Sequence, residues 1–72
     1  MTQTTFAGKK FSPEKLKALR KKKKLTLFAL GTMSGINPST ISWWENNRSV
    51  PSIDNIFLVV HAMGRTLDDV ME

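Results

Sequence analysis

Apolar residues recur at helical spacing through most of the chain, and no segment alternates with the two-residue period of a strand. Leu16 and Leu19, with Ala18 beside them, make a first buried stripe. Ile41 and Trp44, three residues apart, share one face of another helix. Ile53, Ile56, Val59, Val60 and Met63 make the longest stripe, and Leu67 and Val70 the last. Boundary signals agree. Ser12-Pro13-Glu14 supplies a cap, a first-turn proline and an acid placed to suit the macrodipole, with Phe11 and Leu16 at hydrophobic-staple spacing. That helix is expected to end near Lys23 or Lys24. Further helices are expected over about 27–34, 38–46 and 53–63, the last closed by Gly64. Thr66 and Asp69 approximate a capping box for a short fifth helix. The fold class is all-α, a compact five-helix bundle over residues 11–72, preceded by a flexible basic arm over residues 1–10.

Residues 26–48 carry the most information. Thr26 is a good N-cap. Gly31 offers no side chain where a second helix must cross closely, and Gly35 suits a left-handed position just past a helix end. Asn37-Pro38 is a second start signal, a cap followed by proline. Asn46-Asn47 ends that helix, because Asn tolerates left-handed geometry. Val50-Pro51 forces an extended exit, and Ser52 caps the next helix. Two short helices joined by one tight turn are the expected result, a helix-turn-helix over about 26–46.

Charge adds direction to this picture. The net charge is +5, and nine of the eleven Lys and Arg residues fall between Lys9 and Lys24. Glu14 alone offsets them, which leaves +8 in residues 1–24 against −3 in residues 50–72. Such asymmetry favours binding a polyanion in one orientation. The chain has no cysteine and a single histidine, His61, read as solvated. A thiol nucleophile, a thiolate metal site and a zinc site are therefore not expected, and neither is a cofactor. The carboxylates scatter, and 72 residues leave little room for a pocket, so an enzyme is not expected. No apolar run approaches the roughly 20 residues of a membrane span, and the N-terminus lacks the shape of a signal peptide. A cytoplasmic protein is the expectation.

Several pieces together resemble the phage-repressor and Cro-type (XRE-like) helix-turn-helix family, whose fold is lambda-repressor-like. They are Leu25-Thr26, Leu30, Gly31, Gly35-Ile36, Ser39-Thr40-Ile41-Ser42, Trp44-Glu45-Asn46, Pro51-Ser52, Ala62-Met63-Gly64 and Leu67-Asp68-Asp69-Val70. The resemblance implies a sequence-specific regulator of double-stranded DNA, repressor-like, that reads the major groove with helix 38–46 and binds as a homodimer. It implies base contact by Pro38, Ser39, Ser42 and Trp43. It implies phosphate contact by Thr26, Leu27, Asn37 and Thr40, and by Arg48 in the following loop. It also implies an ion pair between Arg20 and Glu45 that ties the first helix to the third, and a dimer contact that includes Leu58 and the fifth helix.

Two features depart from the family pattern. Leu27 stands where relatives often carry a phosphate-contacting Gln. The reading set also lacks the Gln, Arg or Asn that makes bidentate contacts with a base. Leu27, Phe28 and Trp43 would then form an exposed apolar patch, which supports an alternative reading, a protein-interaction module or antitoxin-like partner protein.

Overall fold

The computed structural model of the chain describes residues 4–72. Its order is a hairpin, β1 (Thr5–Phe6) and β2 (Lys9–Lys10), then α1 (Pro13–Lys22), α2 (Leu27–Ser34), α3 (Pro38–Glu45), α4 (Ile53–Ala62) and a 3₁₀ turn at Leu67–Val70. Each helix begins where a cap is written. The side-chain oxygens of Ser12, Thr26, Asn37 and Ser52 accept backbone N–H bonds from Lys15, Ala29, Ser39 and Asn55.

The helix ends share one device. After α1, α3 and α4 the chain turns through a left-handed residue, Lys24 (φ 58°), Asn47 (φ 58°) and Gly64 (φ 71°). The next amide reaches back to a carbonyl five residues earlier: Leu25 to Arg20 (3.1 Å), Arg48 to Trp43 (2.8 Å), Arg65 to Val60 (2.9 Å). These are Schellman closures, and they satisfy carbonyls that the helix itself leaves open. Lys24 is the costly member, since its Cβ crowds the backbone in this conformation.

Leu16, Leu19, Leu30, Ile41, Trp44, Ile56, Val59, Val60, Met63, Val70 and Met71 form one core. Ile53 and Leu67 pack at its margin, whereas Ala18 is exposed. The first stripe is thus narrower than expected, because Ala18 lies about 100° round the helix from Leu19.

Three expectations are corrected. The fifth helix is a single 3₁₀ turn. Four residues close no i→i+4 bond, although Asp69 does accept from the Thr66 N–H (3.0 Å) as the capping residues suggest. The basic arm, in its described part, is a hairpin: Thr5 faces Lys10 and Phe6 faces Lys9 across a turn at Ala7-Gly8, both with positive φ. Residues 1–3 of that arm lie outside the described residues. Finally, α3 ends at Glu45, and Asn46 is its C-cap.

The hairpin is anchored. Lys10 and Glu72 exchange backbone hydrogen bonds at 2.8 Å each, Phe11 bridges Met71, and the Thr4 hydroxyl donates to the Pro51 carbonyl. The Ser12 N–H donates to Val70 O (2.8 Å) and Lys15 Nζ to Met71 O (2.8 Å). Lys9 pairs with Asp68 at 3.6 Å, an exposed contact of small energetic weight.

Two predictions follow from this packing. A Cβ at Gly31 would sit 2.7 Å from the Ile36 carbonyl oxygen and 2.7 Å from Pro38 Cγ. Backbone and a proline ring yield little, so Gly31→Ala is expected to cost about 1–3 kcal/mol in a urea melt. Asp69 is held below the ordinary carboxylate value, first by the Thr66 N–H; slight burial opposes this, and Arg65 assists. A depressed folded-state value means stability that is present above the unfolded value and lost as pH falls through the folded one. Thermal melts from roughly pH 5 to pH 2 should therefore fall more steeply for the native chain than for Asp69→Asn.

Candidate nucleic-acid interface

The face in question is built from the α2-turn-α3 unit. Gly35 (φ 78°) turns the chain just past α2, and its amide closes on Gly31 O at 2.8 Å. Ser34 Oγ donates to Leu30 O (2.8 Å) and accepts from the Ile36 N–H (3.3 Å), which braces the turn from inside. Ile41 and Trp44 are buried, at 0% and 3% exposure, and fix α3 by its inner side. Ser39 and Trp43 consequently face solvent, with Ser42 and Pro38 half-buried between. All four base-contact candidates thus lie on one short helix, and Trp43 is 52% exposed while its neighbour Trp44 is enclosed.

Arg20 and Glu45 make the expected pair, and make it bidentate: Nε to Oε2 at 2.7 Å and one terminal nitrogen to Oε1 at 3.0 Å. The other terminal nitrogen donates to the Leu25 carbonyl at 2.8 Å. Arg20 therefore joins three pieces: its own helix, the end of α3, and the linker that leads into α2. Both side chains are nearly enclosed, at 11% and 3% exposure.

The phosphate candidates sit at three corners of this unit, Thr26 and Leu27 opening α2, Asn37 and Thr40 opening α3, and Arg48 following it. Thr26, Asn37 and Arg48 are exposed, and Leu27 and Thr40 are half-buried. The two helix starts differ in the donors they offer. At α2 only the Ala29 amide is taken by the cap, at 3.0 Å, so the amides of Leu27 and Phe28 still point outward as first-turn donors. At α3, Pro38 has no N–H, and the amides of Ser39 and Thr40 are bonded to the side chain (2.8 Å) and carbonyl (3.0 Å) of Asn37. The donors left there are the side-chain NH2 of Asn37 and the hydroxyls of Ser39 and Thr40. Lys21, Lys22, Lys23 and Lys24 run exposed up to the start of α2 and set positive charge beside its donors.

The apolar patch expected from Leu27, Phe28 and Trp43 does not assemble as a trio. Leu27 is half-buried and packs on the core, because it lies one turn from Leu30 and Gly31 on the inner side of α2. Phe28, one residue on, is 74% exposed.

One residue of this face escaped the sequence reading. Asn46 donates from Nδ2 to the Ser42 carbonyl (2.8 Å) and to Ser42 Oγ (3.3 Å). It lines an open groove with Ser42, Trp43 and Arg48. The only sequence signal was its place four residues after Ser42, and its evident use as a helix terminator hid it.

Capped α2, a left-handed glycine, and an α3 held from inside define a helix-turn-helix protein, and the chain belongs to the helix-turn-helix family of the phage-repressor type: the family model matches residues 16–70. A crystal structure of the P22 c2 repressor protein in complex with synthetic operator 9T in the presence of Tl+ is similar, with 33% identity and a TM-score of 0.73 over 81% of this chain and 88% of that one. No curated protein matches the chain.

Removal of one partner from an enclosed ion pair leaves the other charge without compensation. Glu45→Ala is therefore expected to cost about 3–5 kcal/mol in a urea melt. Stability equal to that of the native chain would show that the pair contributes nothing.

Proposed function

We propose that the protein is a transcription regulator of the repressor type that binds double-stranded DNA in the cytoplasm with α3 in the major groove. One observation carries the reading. The buried pair Ile41 and Trp44 turns Ser39, Ser42 and Trp43 outward on a short, rigid helix flanked by basic residues. A major groove about 12 Å wide admits such a helix. The similar P22 c2 repressor structure is a complex with operator, which supports the same class of ligand here.

In this reading phosphates are held by the α2 amides near Thr26 and Leu27, by Asn37, by the Thr40 hydroxyl and by Arg48. Pro38, Ser39, Ser42 and Trp43 meet base edges. Serine hydroxyls bond to several edges and so discriminate weakly, and Trp43 offers apolar contact suited to a thymine methyl. We further propose that the protein binds a two-fold operator as a homodimer. Phe57 and Leu58 on α4 are half-exposed, Phe57 stacks on His61 at 5.3 Å, and Phe6 and Leu67 extend the same apolar region. Such a region is suited to burial against a second copy.

Titration of tryptophan fluorescence with random duplex DNA at several salt concentrations tests the first half. Neutralisation of about 4 phosphates predicts a log–log salt slope near −3.6. No binding at low salt would refute the proposal. Selection from a random duplex pool tests the second half, with two inverted half-sites expected and a single half-site counting against the dimer.

A further inference from the structure

We infer that Ser42 and Asn46 act as one reading unit that selects adenine over guanine at one position of each half-site. The inference rests on the DNA-binding reading above.

The Ser42 main-chain carbonyl only accepts hydrogen bonds, so the Asn46 group that approaches it at 2.8 Å must be the amide nitrogen. This fixes the orientation of the amide. The same nitrogen also approaches Ser42 Oγ at 3.3 Å, so the NH2 side of the Asn46 amide is turned toward Ser42. The carbonyl oxygen, Oδ1, is left as the group that Asn46 presents. Ser42 Oγ accepts from Asn46 and so keeps its own O–H as a donor; no acceptor engages it among the described residues. One hydroxyl donor and one carbonyl acceptor therefore stand side by side on the groove face of α3.

That order of groups matches one base edge. Adenine shows an acceptor, N7, beside a donor, the N6 amino group. The Ser42 O–H donates to N7 and Asn46 Oδ1 accepts from N6. Guanine shows two acceptors, N7 and O6, so its O6 would face the Oδ1 lone pairs. Cytosine satisfies Oδ1 alone, and thymine satisfies the hydroxyl alone. An asparagine working singly reads adenine with its own nitrogen and oxygen. Here its nitrogen is held by the helix end, and the serine hydroxyl takes that nitrogen's place. Trp43 and Arg48 line the same groove, which keeps the unit at the edge of the bound duplex.

The experiment is a random-duplex selection with the native chain, Asn46→Ala and Ser42→Ala, followed by titration of the selected site. The end of α3 is closed by main-chain bonds, Asn46 N to Ser42 O (3.0 Å) and Arg48 N to Trp43 O (2.8 Å), so Asn46→Ala keeps its fold, as thermal melts will check. The native chain is expected to select adenine at one position per half-site. Asn46→Ala should lose about tenfold of the adenine-over-guanine preference there and keep its salt slope. Replacement of that adenine by 7-deazaadenine removes the N7 acceptor. It should weaken the native chain and leave Ser42→Ala unaffected. A uniform loss of affinity for all sequences by Asn46→Ala, or equal sensitivity of both proteins to 7-deazaadenine, overturns the inference while the DNA-binding reading stands. Failure of the native chain to bind any duplex overturns both.

Discussion

At Gly31 the space between α2 and the start of α3 is smaller than a methyl group. The helix meets the Ile36 carbonyl and the Pro38 ring there, and a hydrogen atom is all that fits. This close approach sets how α3 leaves the turn. With that angle given, Ile41 and Trp44 reach the core, and the remaining sides of α3 have no choice but to face outward. The exposed positions of Ser39 and Trp43 are thus consequences of packing on the opposite side. A well-packed interior resists small adjustments, so the whole reading face is fixed to the scaffold with little slack.

Charge is arranged around that rigid unit in two ways. Arg20 donates from each of its three side-chain nitrogens inside the fold, to Glu45 and Leu25, and so acts as a strut between helices. The lysines that follow it are exposed and make no such internal bonds. At the other end, Lys9 faces Asp68, and Arg65 faces Asp69, so cations near the C-terminal residues are offset by acids. Among the described residues, exposed lysines without acidic partners therefore run from the N-terminal segment up to α2, a one-sided distribution that orients a polyanion before contact.

Local chemistry decided what was legible in the sequence. Caps at Ser12, Thr26, Asn37 and Ser52 act within three residues of their own position, so each helix start could be placed from its neighbours alone. The hairpin could not. Its strands are two residues each, too short to show alternation, and Ala7 stands where a turn of that type ordinarily has Asn, Asp or Gly. What holds it is remote: Pro51, Met71 and Glu72. Met71 is buried for the same reason, through a partner 60 residues away in sequence that no periodicity announces. On the site, Leu27 and Phe28 were both expected in an exposed patch, yet Leu27 packs on the core and Phe28 faces solvent, because one residue of helical rotation separates inner from outer. Asn46 was hidden because one side chain serves two ends, as a helix terminator and as a bracket on Ser42.

Lys10 and Glu72 hold each other's backbone, and Ser12 and Lys15 hold Val70 and Met71. The residues that lead into the first helix and the last three residues are thereby fastened to each other along a single seam. The stretch around Lys10 to Ser12 cannot open without releasing Val70 to Glu72, so these two segments form one local opening unit. Anything that tugs on the last residues is felt where the first helix begins.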